Sequence, residues 1–204
     1  MKNNLFYEKS VWLKGNDFIA GIDEVGRGPL AGPVVACAVI FPKGFYLEEI
    51  DDSKKLSSKK REELFDIINK EAISVGLGLI REDVIDRINI RQATFLAMKK
   101  AITRLKIQPD CLLVDGEKIP QISIPQIPII KGDSLSFTIS SASIIAKVIR
   151  DRLMDKYHRL WPEYNFRSHK GYGTKEHLLS LGKYGVCPIH RKSYKPVRDA
   201  MGGS

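Results

Sequence analysis

The alternation of apolar and polar positions predicts strands in the first part of the chain. Residues 18–25 (FIAGIDEV) form a short apolar run that carries two acids, and residues 33–41 (PVVACAVIF) form a second apolar run. The segment between them is rich in glycine, which is typical of a turn between two strands. We therefore predict that the two runs form a hairpin.

Helical periodicity then alternates with further short strands. A helix is predicted from Ser57 or Ser58, and the alternating ISVGLGLI at 73–80 predicts a third strand after it. The pattern RINIRQATFLAMKKAITRL at 87–105 predicts another helix, and CLLVDG at 111–116 predicts a short buried strand. Three prolines at 120–128 predict an irregular connection that leads to PIIKGD.

The remainder of the chain is predicted to be helical. A final helix is expected from Thr174 to Tyr184, ending at Gly185. Before it, a long amphipathic helix is predicted from an apolar stripe made of Ile145, Val148, Ile149, Leu153, Tyr157 and Leu160. Strands that come first as a meander and then alternate with helices predict an α/β fold, with a mixed β-sheet flanked by helices and a C-terminal helical region.

Length and composition favour a single globular unit. A chain of 204 residues with 43% hydrophobic content can close one substantial core. We expect a core over about 1–160, a basic helical part over about 161–198, and a tail at 199–204 whose final GGS resembles an added linker. The apolar runs are too short for a bilayer and the N-terminus is too polar for a signal peptide, so we expect a cytoplasmic protein without a membrane partner.

The positive charge is concentrated near the C-terminus. Residues 147–198 hold 13 Lys and Arg against 4 Asp and Glu, a surplus of +9 that equals the net charge of the whole chain. Such a surplus suggests a polyanionic partner, although a solvated basic face is an equally good interpretation of charge alone. Cys37, Cys111 and Cys187 have no metal-site spacing and are expected to be buried, reduced thiols.

Four carboxylates stand in or directly after short apolar runs, where unpaired charges are rare. Asp23 and Glu24 lie within FIAGIDEV, Asp115 ends LLVD, and Asp133 follows PIIKG. Such a group suits a hard divalent cation, which prefers oxygen ligands, although an isolated Asp at a strand end more often caps a turn. Since adjacent strand residues point to opposite faces, Asp23 and Glu24 are expected to share a cation only if the chain bends there.

The segment GRGPLAG at 26–32 loosely imitates a dinucleotide-binding fingerprint. That fingerprint has to open a helix, whereas a strand is predicted to follow here, so we disfavour a Rossmann-type site. Glycines in this position could instead allow close approach to a ligand, with Arg27 as a donor to phosphate, or they could form a plain structural turn.

Taken in order, DEVGRGPLAGPV, DDSKKLS, LLVDG, KGD, SASIIAKVIRDRLM and HKGYGTKEH closely resemble the bacterial ribonuclease HII family (type 2 ribonuclease H), from about residue 18 to 198. The resemblance implies a ribonuclease H-like fold. It also implies a metal-dependent endonuclease that hydrolyses the RNA strand of RNA/DNA hybrids and incises duplex DNA on the 5′ side of single embedded ribonucleotides. The expected products carry 3′-hydroxyl and 5′-phosphate ends.

The same resemblance implies roles for particular residues. The acids that would hold two Mg²⁺ or Mn²⁺ ions and support catalysis are Asp23, Glu24, Asp115 and Asp133. The residues that would contact the substrate are Gly26, Arg27, Gly28 and Tyr172, and less securely Ser53, Lys54, Lys147 and Arg150. Among them, Tyr172 would stack on the sugar that follows the ribonucleotide, although a tyrosine is also often half-buried packing.

Two other functions stay open at this point. One is a ribonuclease HIII-like nuclease that prefers long hybrids, and the other is a non-catalytic nucleic-acid-binding module that uses the basic C-terminal part. His158, His169, His177 and His190 lack zinc-like spacing and could contact phosphates or pack inside helices. The protein is expected to be a monomer that binds RNA/DNA hybrids and ribonucleotide-containing DNA.

Overall fold

The computed structural model describes residues 4–202. These residues form one five-stranded sheet with helices on both faces. The strands are β1 (Ile19–Val25), β2 (Val34–Ile40), β3 (Ser74–Ile80), β4 (Cys111–Asp115) and β5 (Gln126–Ile129). The helices are α1 (Phe6–Trp12), α2 (Ser58–Glu71), α3 (Glu82–Thr103), α4 (Phe137–Leu160), α5 (Phe166–His169), α6 (Lys175–Tyr184) and α7 (Lys195–Ala200).

The sheet has the order β3-β2-β1-β4-β5 and is mixed. Strands β1, β2 and β3 form an antiparallel meander, whereas β4 pairs parallel with both β1 and β5. The predicted hairpin, the third strand and the short strand at 111–115 are therefore confirmed, as is the mixed α/β architecture.

Helix α3 covers one face of the sheet and α4 covers the other. A Cβ atom added at Gly78 would lie 1.9 Å from the carbonyl oxygen of Ala97, so α3 can approach β3 this closely only because the strand has glycine there. On the opposite face, a Cβ atom at Gly21 would lie 2.2 Å from the backbone of Thr138. The start of α4 is consequently pressed against the middle of β1, next to the acids of that strand.

Side-chain caps define the helix boundaries that the sequence predicted. Ser57 caps α2 by accepting a hydrogen bond from the amide of Lys60, and Thr174 caps α6 by accepting one from the amide of His177. Gly185 ends α6, as predicted. All three cysteines are buried free thiols, which confirms that prediction.

Several elements differ from the sequence-based prediction. Helices α5 and α7 were not predicted, and because α7 follows α6, the prediction that α6 is the final helix is wrong. Helix α1 was not predicted, and α3 begins at Glu82 rather than near Arg87, with a kink where Asn89 has φ 65°. The connection predicted to be irregular contains β5, in which Pro128 is tolerated because β5 is an edge strand. Leu160, placed in the apolar stripe of α4, is 65% exposed.

Within residues 4–202, no helix combines the length and apolar character needed to cross a bilayer.

Candidate active site

Three of the four predicted acids meet where β1 and β4 separate. The parallel ladder between these strands ends at the pair Ile22 and Val114, so Asp23 and Asp115 are the next residue on each strand. One carboxylate oxygen from each of Asp23, Glu24 and Asp115 lies within 4.8 Å of the other two. The sheet thus brings acids 92 residues apart in the sequence to one point.

The carboxylates of Asp23 and Glu24 converge without the bend on which the sequence analysis made a shared cation depend. Strand β1 stays regularly paired with β2 through Val25, with Asp23 opposite Cys37 and Glu24 opposite Ala36. Asp23 therefore faces α4, where Ser143 donates a hydrogen bond to it, and Glu24 lies on the α3 side. Their carboxylates still converge because β4 has separated from β1 at that point, which leaves space beside the strand that both side chains reach.

The electrostatics of this group favour a bound cation. Burial raises the pKa of Asp23 well above its ordinary value, and the neighbouring charges of Glu24 and Asp115 raise it further. Burial likewise raises the pKa of Glu24 and that of Asp115, although Arg27 partly offsets the effect at Glu24. A divalent cation would relieve both the repulsion and the lost hydration, and an oxygen-only donor set suits Mg²⁺ or Mn²⁺.

Asp133 lies beside these three acids but has a different partner. Its carboxylate accepts a hydrogen bond from Nζ of Lys54 at 2.7 Å, and its side chain is only 9% exposed. The preceding residue, Gly132, donates its amide to Oδ1 of Asp115 at 2.6 Å, so the turn at 132–134 is attached to the end of β4. Lys54 therefore supplies the positive charge at Asp133.

All four acids line one cavity, together with Lys54, Lys147 and Tyr172. Lys147 is partly buried and its ammonium group pairs with Asp151 at 2.8 Å. Ser53 is almost completely buried, and its hydroxyl shares a 2.9 Å hydrogen bond with that of Ser143. The side chain of Ser53 thus braces the same serine that contacts Asp23, and it does not present its hydroxyl at an open surface.

Two buried guanidinium groups hold the glycine loop, residues 26–32. Arg191 donates to the carbonyl oxygens of Gly26, Arg27 and Gly32 at 2.5–2.9 Å. Arg150 donates to the carbonyl oxygens of Ala31, Pro33 and Lys170 at 3.0–3.1 Å. Both side chains are 0% exposed, so they fix the loop backbone from the interior of the protein. The loop is followed by strand β2 and does not open a helix, as the sequence predicted.

The assignment of Arg150 as a substrate contact is therefore wrong. A contact with a phosphate would require an exposed guanidinium, and all three nitrogens of Arg150 already donate to backbone carbonyls. Burial lowers the pKa of Arg150 to about 10, which leaves it charged at neutral pH. Its position next to Gly26, whose φ is +102°, explains why that residue is glycine: an added Cβ atom would lie 2.3 Å from Nε of Arg150.

Tyr172 faces the glycine loop from the C-terminal part of the chain. Its ring is 43% exposed, and a Cβ atom added at Gly28 would lie 3.6 Å from the ring. The backbone of Tyr172 is fixed by the carbonyl oxygen of His169, which accepts from its amide, and by the ring of His177, whose Nδ1 lies 2.9 Å from its carbonyl oxygen. Arg27, Gly28 and Tyr172 consequently form one continuous surface beside the acids.

Three of the four histidines pack together beneath Tyr172. The rings of His169 and His177 stack with centroids 4.5 Å apart, and Nε2 of His177 lies 3.1 Å from Nε2 of His190. Desolvation lowers the pKa of His177 and lowers that of His190 to about 4, which favours the neutral form of these two rings at physiological pH. The sequence left open whether the histidines contact phosphates or pack inside the protein, and His169, His177 and His190 pack inside it.

Sequence reasoning missed Ser143 and Arg191 as parts of this site. Ser143 contacts Asp23 from within the apolar segment SASIIAKV, and a buried polar residue in such a segment is a detectable signal. Arg191 carries no comparable signal, because its partners lie 159–165 residues earlier in the chain.

Comparison with known proteins places this chain in a family. The model of the family described as ribonuclease HII matches residues 20–197. Ribonuclease HII of Caldanaerobacter subterraneus subsp. tengcongensis is 58% identical over 93% of this chain and 78% of its own length. In fold, the chain is similar to ribonuclease H2 of Pyrococcus horikoshii, with a TM-score of 0.78 and 25% identity over 91% of this chain and 97% of that one.

A third relative agrees in fold alone. Bst ribonuclease HIII in complex with Mn²⁺ has a TM-score of 0.76 and 14% identity over 92% of this chain and 70% of that one. The match of the family model over most of the chain and the identity to curated relatives carry the assignment. This chain belongs to the ribonuclease HII family and, as a member of it, is a metal-dependent endonuclease.

Proposed function

We propose that the protein hydrolyses the RNA strand of RNA/DNA hybrids and incises duplex DNA on the 5′ side of a single embedded ribonucleotide. Cleavage leaves 3′-hydroxyl and 5′-phosphate ends and uses two divalent ions, Mg²⁺ or Mn²⁺. The observation that carries this proposal is the convergence of three carboxylates within 4.8 Å at the open end of β1 and β4, beside Arg27, Gly28 and Tyr172.

The four acids would bind the two ions as two separate groups. Asp23, Glu24 and Asp115 hold the first ion, because their oxygens already converge and their mutual repulsion is relieved by positive charge. Asp133, together with its neighbours in the cavity, would hold the second in place of the ammonium group of Lys54. When bound at these acids, the ions would supply the activation of a water molecule and the stabilisation of the departing 3′ oxygen.

Substrate recognition falls to the surface formed by the glycine loop and Tyr172. The carbonyl oxygens of Gly26 and Arg27 are bonded to Arg191 inside the protein, an arrangement in which the opposite, amide-bearing side of the backbone is available to a ligand. We assign Gly26, Arg27, Gly28 and Tyr172 to recognition of the ribonucleotide, whose 2′-hydroxyl is what distinguishes it from DNA. Lys54 and Lys147 lie at the same cavity and contact the phosphate backbone.

The same proposal covers the organisation of the chain. Residues 1–160 and the basic part at 161–198 act as one catalytic unit, because Arg191 and Tyr172 complete a loop that begins three residues after Asp23. The protein works in the cytoplasm as a monomer, on RNA/DNA hybrids and on DNA that contains ribonucleotides.

The test is cleavage of an end-labelled DNA duplex that contains one ribonucleotide, with Mg²⁺ or Mn²⁺. A nick on the 5′ side of the ribonucleotide is expected, with none in an all-DNA duplex or in EDTA. Cutting confined to long hybrids would indicate a ribonuclease HIII-like preference, and binding without cutting would indicate a nucleic-acid-binding module. Tyr172→Phe and Arg27→Ala should each reduce the preference for the ribonucleotide, and unchanged preference in both would contradict the recognition scheme.

A further inference from the structure

A second cavity adjoins the carboxylates and is lined by Arg27 but not by Tyr172. It shares Glu24 and Asp115 with the first cavity and extends from them towards α3. Its volume is about 200 Å³, smaller than the about 300–1,000 Å³ that is usual for pockets that enclose a whole small-molecule ligand. A strand that crosses the acids from the first cavity therefore continues directly into the second.

The second cavity has an apolar floor and a charged rim, where Arg27 and Arg91 lie beside Glu24, Asp115 and Glu117. Phe95 and Met98 of α3 form the floor and are nearly buried, and Ile130 lies at the edge with 79% of its surface exposed. At the rim, the guanidinium group of Arg91 lies 5.4 Å from the centre of the Phe95 ring. An apolar surface next to a cation is the combination that contacts the sugar or base and the phosphate of a nucleotide.

Arg91 is oriented and still has donors to offer. Its Nε and Nη2 atoms donate to the two carboxylate oxygens of Glu117 at 3.1 and 2.6 Å, so the plane of the guanidinium group is fixed. A guanidinium group has five N–H donors, and this pairing uses two of them. Since the side chain of Arg91 is 61% exposed, its remaining donors can reach a phosphate without release of Glu117.

We infer that this second cavity is a subsite for the nucleotide on the 5′ side of the cut, with Arg91 bonded to the phosphate at the 5′ end of that nucleotide. The inference rests on the proposed function, in which Tyr172 contacts the strand on the 3′ side of the cut. With the scissile phosphate at the acids and the 3′ side at Tyr172 in the first cavity, the second cavity, which Tyr172 does not line, receives the 5′ side. The nucleotide that carries the leaving 3′ oxygen is thereby held at both of its phosphates, by the site at the acids and by Arg91.

The experiment is a double-substitution cycle on protein and substrate. Wild-type protein and Arg91→Ala are each assayed on the single-ribonucleotide duplex, with either a normal phosphate or a neutral methylphosphonate one step 5′ of the scissile phosphate. We expect each single change to raise KM about tenfold with kcat within twofold. The two changes together should raise KM no further, because they remove the same contact. Arg91→Ala should also lower the salt dependence of binding by about one phosphate contact.

Arg87→Ala provides the matched control. Arg87 lies four residues earlier on α3, before the kink at Asn89, is also exposed, and also pairs with an acid, Asp83, but it does not line the cavity. Its KM should stay within twofold of wild type, and thermal unfolding of both variants should match wild type. The inference is overturned if the two changes multiply to about a hundredfold, if Arg91→Ala has no effect, or if Arg87→Ala has an equal effect.

The same cycle separates this inference from the proposed function. Failure of the wild-type protein to cut the unmodified duplex with Mg²⁺ or Mn²⁺ would contradict the proposed function. The four combinations are then compared as Kd values by fluorescence anisotropy in EDTA. Non-additive effects on Kd would still support the subsite, and multiplicative or absent effects would overturn it.

Discussion

The carboxylates at the end of β1 and the guanidinium groups beneath the glycine loop are both buried charges, but they are neutralised differently. Arg150 and Arg191 place every nitrogen on a carbonyl or hydroxyl oxygen of the protein, and both remain charged. Asp23, Glu24 and Asp115 face one another, and their pKa values are raised. The two arginines, whose hydrogen bonds are all made within the protein, stabilise the fold. The three carboxylates, which repel one another, are instead suited to bind a ligand of positive charge.

Asp23→Asn should separate activity from stability most strongly. The change removes a proposed ligand of the first ion, and we expect kcat to fall by about a thousandfold or more. It also removes one of three repelling charges, so the free energy of unfolding without metal should be equal to or greater than that of wild type. Cleavage rates and urea denaturation measure the two effects. Activity within tenfold of wild type, or a clear loss of stability, would remove the distinction between the two clusters.

Arg191→Met should have the opposite profile at the other cluster. Methionine fills similar volume but leaves the carbonyl oxygens of Gly26, Arg27 and Gly32 without their donor, in a site that is 0% exposed. We expect a loss of about 3 kcal/mol or more in the free energy of unfolding. Urea denaturation checks this, with the exposed Arg198→Met as the control. A loss below about 1 kcal/mol would mean that the loop does not depend on this guanidinium group.

Addition of Mn²⁺ should stabilise the protein through the acids alone. At a concentration about a hundred times Kd, binding to the folded state adds about 2.7 kcal/mol to the free energy of unfolding. The rise in Tm should be abolished or strongly reduced in Asp23→Asn and retained in Tyr172→Phe. An equal rise in Asp23→Asn would place the ion elsewhere.

Acid should act through the histidines beneath Tyr172. Because the folded-state pKa of His190 is about 4, below the ordinary value of 6.5, the unfolded chain binds more protons between these values. The contribution of neutral His190 to the free energy of unfolding is therefore fully present above about pH 6.5. It is lost as pH falls towards 4, and the loss amounts to about 1–3 kcal/mol. His190→Asn should flatten the decline in unfolding free energy measured from pH 7 to 4.5, and an unchanged slope would assign the decline to other groups.

Regular patterns made much of the fold predictable. The β1 and β2 hairpin and helix α6 follow from apolar periodicity and from end signals such as Thr174 and Gly185. Strand β5 was missed because Pro128 argues against a strand unless the strand is known to lie at an edge. The first turns of α3 were missed because the kink at Asn89 interrupts the helical period.

The site was predictable where its residues follow strands, and unpredictable where distant contacts decide. Asp23, Glu24 and Asp115 were visible as acids within or at the ends of apolar runs, and the separation of β1 from β4 brings them together. The pairing of Asp133 with Lys54, 79 residues earlier, has no local signal. The same is true of Arg150, whose burial depends on carbonyl groups 117 and 119 residues away.

The bonds from Arg191 to the glycine loop have a consequence for the order in which the protein matures. On the ribosome, Gly26 and Arg27 emerge early, but the side chain that fixes them is about 165 residues behind. Contacts of such long range form late and slow the final stage of folding. The nascent enzyme should therefore assemble its acids before the glycine loop, and if that loop recognises the ribonucleotide as proposed, discrimination between RNA and DNA should be the last property that the enzyme acquires.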